Sequence, residues 1–190
     1  MLAPIEVGLE FTVPLKIRPY LHRMHQLDSN MCVAVNHTSH YRIVRQSFRL
    51  VSRLGDGMFW YGLMAAILFI KGGDGLLPVL HMTVTGLFGT VLYKWLKGKT
   101  LRPRPYAVRQ EITLAAMPLD KFSFPSGHTL HAVLFSVIAL NYYPQLAIIL
   151  LPFTLLVALS RVVLGLHYPS DVAAGVLIGA TVAGLSLLLV

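Results

Sequence analysis

Charged residues are scarce in this chain. Asp, Glu, Lys and Arg make up 13% of 190 positions, against about 25% in a soluble domain. Acidic residues are scarcest, eight against sixteen basic ones, for a formal charge of +8. Cysteine is nearly absent, and the single Cys32 excludes a disulfide framework. With 55% hydrophobic residues and a mean hydropathy of +0.66, disorder is excluded as well. A soluble fold of this length leaves too much surface exposed to hide so much apolar matter. What fits is a small polytopic membrane protein, one domain by length. Residues 1–10 carry two acidic residues and no basic one, so no cleavable signal is expected. Nor are the basic residues interleaved with an aromatic stacking platform, which argues against nucleic acid as a partner. The basic excess points instead to an anionic lipid surface, to loop orientation, or to an anionic substrate.

Residues 1–57 are of mixed polarity, without an apolar run long enough to cross a bilayer, and hold seven of the sixteen basic residues. Within 41–54, Ile43, Val44, Leu50, Val51 and Leu54 recur against Arg42, Arg45, Arg49 and Arg53. That pattern predicts an amphipathic helix in the membrane interface, the alternative being a solvated basic helix. Five apolar segments follow, at 59–70, 76–96, 130–143, 146–166 and 172–190. The first is short for a span; the fourth contains Pro152, which should kink it; the fifth offers Gly175 and Gly179 as a small face for close helix contact. Barrel strands would need alternating ten-residue segments, so the spans are helices. The expected fold is an all-α, polytopic membrane bundle of about five transmembrane helices. It divides into an N-terminal amphipathic interfacial region, 1–57, and a transmembrane domain, 58–190.

The remaining polar residues gather at three places. Two crossings separate the stretch 97–128 from the stretch 160–171, so both face one compartment and a composite site is possible. The first cluster, Lys97, Lys99, Arg102 and Arg104-Pro105, follows a membrane helix directly, where basic residues also serve as interfacial anchors. The second, 124–129, places Ser126 to cap the third apolar helix, so that its first free N–H groups favour an anion. Without His128 it would read as plain capping. The third runs from Ser160 to Asp171. Arg161 in an apolar membrane run is either functional or a structural ion pair or a snorkelling side chain. Pro169 falls in the first turn of the last helix with Asp171 just inside it, where the carboxylate can accept from one nitrogen of His167 and leave the other free.

Two histidines, an orienting carboxylate, several cations and a helix N-terminus are the inventory of phosphoryl transfer. This leaves open which imidazole is nucleophile and which is acid. Metal chemistry is the weaker reading, since no carboxylate cluster exists and Cys32 has no thiol companion. The pairs His22/His25 and His37/His40 are the other candidates for metal ligands.

Lys97-x6-Arg104-Pro105, Pro125-Ser126-Gly127-His128 and Ser160-Arg161-x5-His167-x3-Asp171 resemble, complete and in order, the three-part signature of the type 2 phosphatidic acid phosphatases (PAP2). The apolar segments favour the membrane lipid phosphatase branch over the soluble relatives. The resemblance implies a phosphohistidine mechanism without metal or other cofactor. His167 would attack phosphorus, held by Asp171, and His128 would protonate the leaving oxygen. Lys97, Arg104, Ser126, Gly127 and Arg161 would bind the phosphate oxygens. The implied partners are a lipid phosphate or diphosphate and membrane lipids. A lipid-to-lipid phosphotransferase and a non-catalytic lipid-binding or transport protein are the alternatives on the same scaffold. Membrane members commonly have six spanning helices, one more than counted here. The resemblance also implies a bacterial inner membrane with the site facing the periplasm, whereas counting positive charges places that side inside.

Overall fold

The computed structural model describes residues 18–190. The expectation for residues 1–10, and the part of the 1–57 region that precedes residue 18, lie outside that range. α1 (Arg18–Asn36) and α2 (Arg42–Arg53) are joined by a short 3-10 turn, and a π-type turn, Leu54–Met58, leads into α3 (Phe59–Lys71). α4 (Leu76–Thr100), the one-turn α5 (Pro105–Val108), α6 (Gly127–Tyr142), α7 (Ala147–Val163) and α8 (Pro169–Leu187) complete the chain. No strand occurs among the described residues, and Pro103 and Phe122 form an isolated bridge.

The five apolar segments are all found as helices, α3, α4, α6, α7 and α8. The expected count of five full spans is not recovered. By length and composition three helical stretches can cross a bilayer: 42–100, which folds back at Gly72, Pro144–Val163 and Pro169–Leu187. The reason is length. α6 has 16 residues, about 24 Å at the helical rise, and α3 has 13. α7 continues through Pro152.

α6 is the centre, packed on α4, α7 and α8. It runs parallel to α8, and glycine permits the contact. A Cβ on Gly175 would stand 2.7 Å from the Ser126 carbonyl oxygen, and one on Gly179 2.5 Å from that of Leu130. The small face predicted for the last helix is therefore used, against α6. α4 runs antiparallel to α6: Gly86 lies under Phe135 and Gly89 under Leu130 and Leu134. The core between them holds Trp60, Met82, Leu130, Leu134, Ile138 and Val157. At the rim opposite the three motifs, His81 bonds Tyr142 at 3.1 Å and Ser186 at 2.8 Å, tying the far ends of α4, α6 and α8.

The amphipathic face of α2 is divided. Val44, Val51 and Leu54 are half-buried in the bundle, where α2 packs on α7, whereas Ile43 and Leu50 remain exposed. α1 braces the motif-bearing loops. Asn36 donates to the carbonyls of Thr113 and Val163 and accepts from the Thr113 amide, and Asp28 accepts from Ser170.

Candidate active site

Each motif reaches the same rim through a local rule. α4 ends on Leu101 in the left-handed region (φ 48°), which turns Arg102 and Arg104 back across the bundle. Ser126 caps α6, its Oγ 3.5 Å from the Thr129 amide and 2.9 Å from the Thr129 hydroxyl. α7 ends in a Schellman motif: the Leu166 amide donates to the Arg161 carbonyl and the Gly165 amide to that of Val162, both at 3.0 Å. Gly165 has φ 73°, and a Cβ there would meet the Thr113 oxygen at 2.8 Å, so the turn requires glycine. The His167 amide also donates to the Arg161 carbonyl, which gives the five-residue spacing its meaning: one turn places both side chains on one pocket. Tyr168, Pro169 and Asp171 then form the capping box of α8, the Asp171 carboxylate accepting from the Tyr168 amide at 2.9 Å.

These elements enclose a cavity of about 260 Å³. Lys97, Arg104, Gly127, His128, Arg161 and His167 line its polar end, and Trp60, Met64, Gly86, Leu87 and Phe135 line an apolar throat between α3, α4 and α6. Of the eight predicted site residues, six face the cavity; Ser126 and Asp171 stand behind it, fully buried. His167 directs Nε2 toward Arg104, 3.3 Å from Nη1, and Nδ1 toward Asp171, 3.7 Å from Oδ2. That second distance is longer than a hydrogen bond, and Nδ1 is otherwise unpartnered. Asp171 spends its oxygens on Arg102, at 2.6 Å, and on the Tyr168 amide.

The electrostatics are cationic. Lys97, Arg104 and Arg161 are each at most 6% exposed. Buried charge is costly unless it is paired or in use. Lys97 and Arg104 share Asp120, at 2.6 and 2.7 Å, and Arg104 also donates to the carbonyls of Asp120 and Leu166. Burial opposes the Asp120 charge, but the two cations outweigh it and hold its carboxyl below the usual range. Arg161 has no such partner. It donates to Ser52 Oγ at 2.5 Å, its Nε is unpartnered, and among the described residues no carboxylate lies within ion-pair distance. At 2% exposure it does not snorkel either, so both bland readings of Arg161 fail. Burial, and then Arg161, Arg104, Lys97 and His128, hold His167 well below the usual histidine range, leaving a neutral imidazole at neutral pH.

The chain matches the PAP2 superfamily profile over residues 75–190, more than half its length. The chain belongs to the PAP2 superfamily. It is an integral membrane phosphatase of the PAP2 type. An undecaprenyl-diphosphatase of Bacillus subtilis is 30% identical over 80% of this chain and 77% of that one. A phosphatidylglycerophosphatase B of the same organism is 33% identical over 68% of this chain and 61% of its own. The crystal structure of Aquifex aeolicus LpxE superposes with a TM-score of 0.72 at 28% identity, covering 83% of this chain and 93% of that one.

The PAP2 motifs do not contain every side chain at this pocket. Asp120, which fastens Lys97 to Arg104, was absent from the sequence reading; an acidic residue six before the Ser126 cap was the available signal. Arg102, which the sequence places in the basic cluster with Lys97 and Arg104 but to which it gives no phosphate-binding role, bridges Asp28 and Asp171, 2.6 Å from each, over the Tyr168 ring. His131 faces the cavity but is held by the Gly127 and Gly86 carbonyls and Thr90. His37 and His40 stack edge to face, and among the described residues no three His, Cys, Asp or Glu side chains gather as metal ligands would.

Proposed function

We propose that this chain hydrolyses a lipid phosphate or lipid diphosphate, such as those for which its relatives are named, through a phosphohistidine at His167 and without a metal. The observation that carries the reading is the unpaired Arg161 in a cavity shared with His128 and His167, cationic at one end and apolar along its throat. Phosphate oxygens would lie among Arg161, Lys97, Arg104 and the Gly127 amide, with Ser126 fixing the helix terminus behind them. The neutral His167 presents the Nε2 lone pair to phosphorus while Nδ1 faces Asp171. As the His167–phosphorus bond forms and the bond to the leaving oxygen breaks, His128 gives that oxygen a proton. Neutral His128 then takes a proton from water, which attacks the phosphohistidine and releases phosphate. The throat between α3 and α4 suits the acyl or prenyl chain.

In this reading α3, α4, α6, α7 and α8 all cross the membrane, the short ones with help from flanking turns, and α1 and α2 lie at the interface on the side of the site. That side faces the exterior of a bacterial inner membrane, the clustered cations serving phosphate and headgroups rather than orientation. Purified protein in detergent should release phosphate from at least one member of a lipid phosphate panel, in excess chelator and without acceptor lipid. His167→Ala should lower the rate by about 10⁴-fold or more while the protein still inserts and folds. Activity lost to chelator and restored by a divalent ion contradicts the metal-free reading, and activity that requires an acceptor lipid points to the transferase.

A further inference from the structure

Asp56 lies nineteen residues ahead of the region matched by the family profile, yet it meets the pocket. It sits in the π-type turn Leu54–Met58 between two glycines. Gly55 fits under Val157 of α7, where a Cβ would be 3.1 Å from a methyl carbon, and Gly57 adopts φ 138°, a conformation that favours glycine. The turn thus aims the carboxylate inward, and Asp56 Oδ1 is bonded to Nε2 of His128. One turn earlier on α2, Ser52 accepts from Arg161. The junction of α2 and α3 therefore touches two of the pocket's charged or titratable groups.

Among the described residues, the Asp56 carboxylate is the one at the pocket free to serve His128. Asp120 is committed to Lys97 and Arg104, and Asp171 to Arg102 and the Tyr168 amide. The other groups around His128 are cationic or neutral: Arg161 from α7, His131 one turn on along α6, His167 from the turn after α7, and Lys97 and Arg104 across the cavity. A proton donor among these cations needs a fixed negative partner, or its charged form is disfavoured.

We propose that Asp56 is a positioning residue for the acid–base imidazole, orienting His128 and stabilising its protonated form. The inference rests on the phosphatase reading above. Asp56 exchanges no proton. The proton passes from His128 to the leaving oxygen as the phosphorus–oxygen bond breaks, and returns to His128 from water in the second half-reaction. The counter-charge is needed each time the imidazolium forms.

The test uses leaving groups. From phosphatidate the diacylglycerol leaves as an alkoxide that needs a proton, whereas from nitrophenyl phosphate the nitrophenol leaves as a phenolate that hardly does. Asp56→Asn should lower kcat/KM on phosphatidate by at least about tenfold and on nitrophenyl phosphate by less than about threefold, a general acid being worth about 10²–10⁴. Asp56→Glu should recover part of the loss on phosphatidate, and it carries the same comparison if the asparagine variant does not fold. Equal losses on both substrates in folded protein mean that Asp56 is merely structural, and no loss on either means that it is idle; each overturns the proposal. Where the panel shows another lipid phosphate monoester to be the substrate, it takes the place of phosphatidate. Wild-type protein inactive on the whole panel overturns the phosphatase reading, and this inference with it.

Discussion

His167 is surrounded by charges of one sign, and its protonation follows from that. Burial and the cations Arg161, Arg104 and Lys97 keep the ring neutral below the usual histidine value. The unfolded chain takes up that proton near pH 6.5, about the ordinary histidine pKa, while the folded chain refuses it. Its contribution to stability is therefore present above pH 6.5 or so and is lost as the pH falls toward the lower folded value. Thermal melts in detergent should show a decline from about pH 7 to pH 5 that is shallower in His167→Gln. The acid limb of kcat/KM that reports the nucleophile should likewise lie below about pH 6.5, the unperturbed value. A limb at or above that pH contradicts the placement of His167 among the cations.

At the level of the helices, the pocket depends on α8 lying directly against α6, since these two elements carry Asp171 and His128. Gly179→Ala places a methyl 2.5 Å from the Leu130 carbonyl oxygen, and α8 must move. The expected cost is about 1–3 kcal/mol, read as a lower Tm, with phosphatase activity falling alongside. Gly184→Ala on the same helix meets nothing within 4 Å and should be neutral or gain up to about 1 kcal/mol of helix propensity. Equal effects of the two substitutions contradict the packing. Much of this level was legible in the chain: the five apolar segments, the Ser126 cap, the Pro169–Asp171 turn and the Gly175/Gly179 face follow from periodicity and capping chemistry, which are local. The full-span count was not, because a 16-residue helix such as α6 is too short to be distinguished by hydropathy from a buried core helix. Asp120, Asp56 and the bridging role of Arg102 were hidden for another reason. Their meaning lies in partners 16 to 74 residues away, and no period or spacing encodes a contact between two loops.

For the whole molecule, three motifs spread over the second half of the chain meet at one rim. Elements from the first half close the pocket: α1 braces the loops through Asn36 and Asp28, and the turn after α2 brings Ser52 and Asp56 to it. In the proposed reading the apolar chain of a lipid phosphate takes the throat of this cavity and its phosphate the cationic end. The most direct measurement of this account is to quench the purified enzyme during turnover of a ³²P-labelled lipid phosphate and map the label. The account predicts an acid-labile, base-stable phosphoryl group on His167, absent from His167→Ala. Label on another residue, or turnover that persists in His167→Ala, contradicts it.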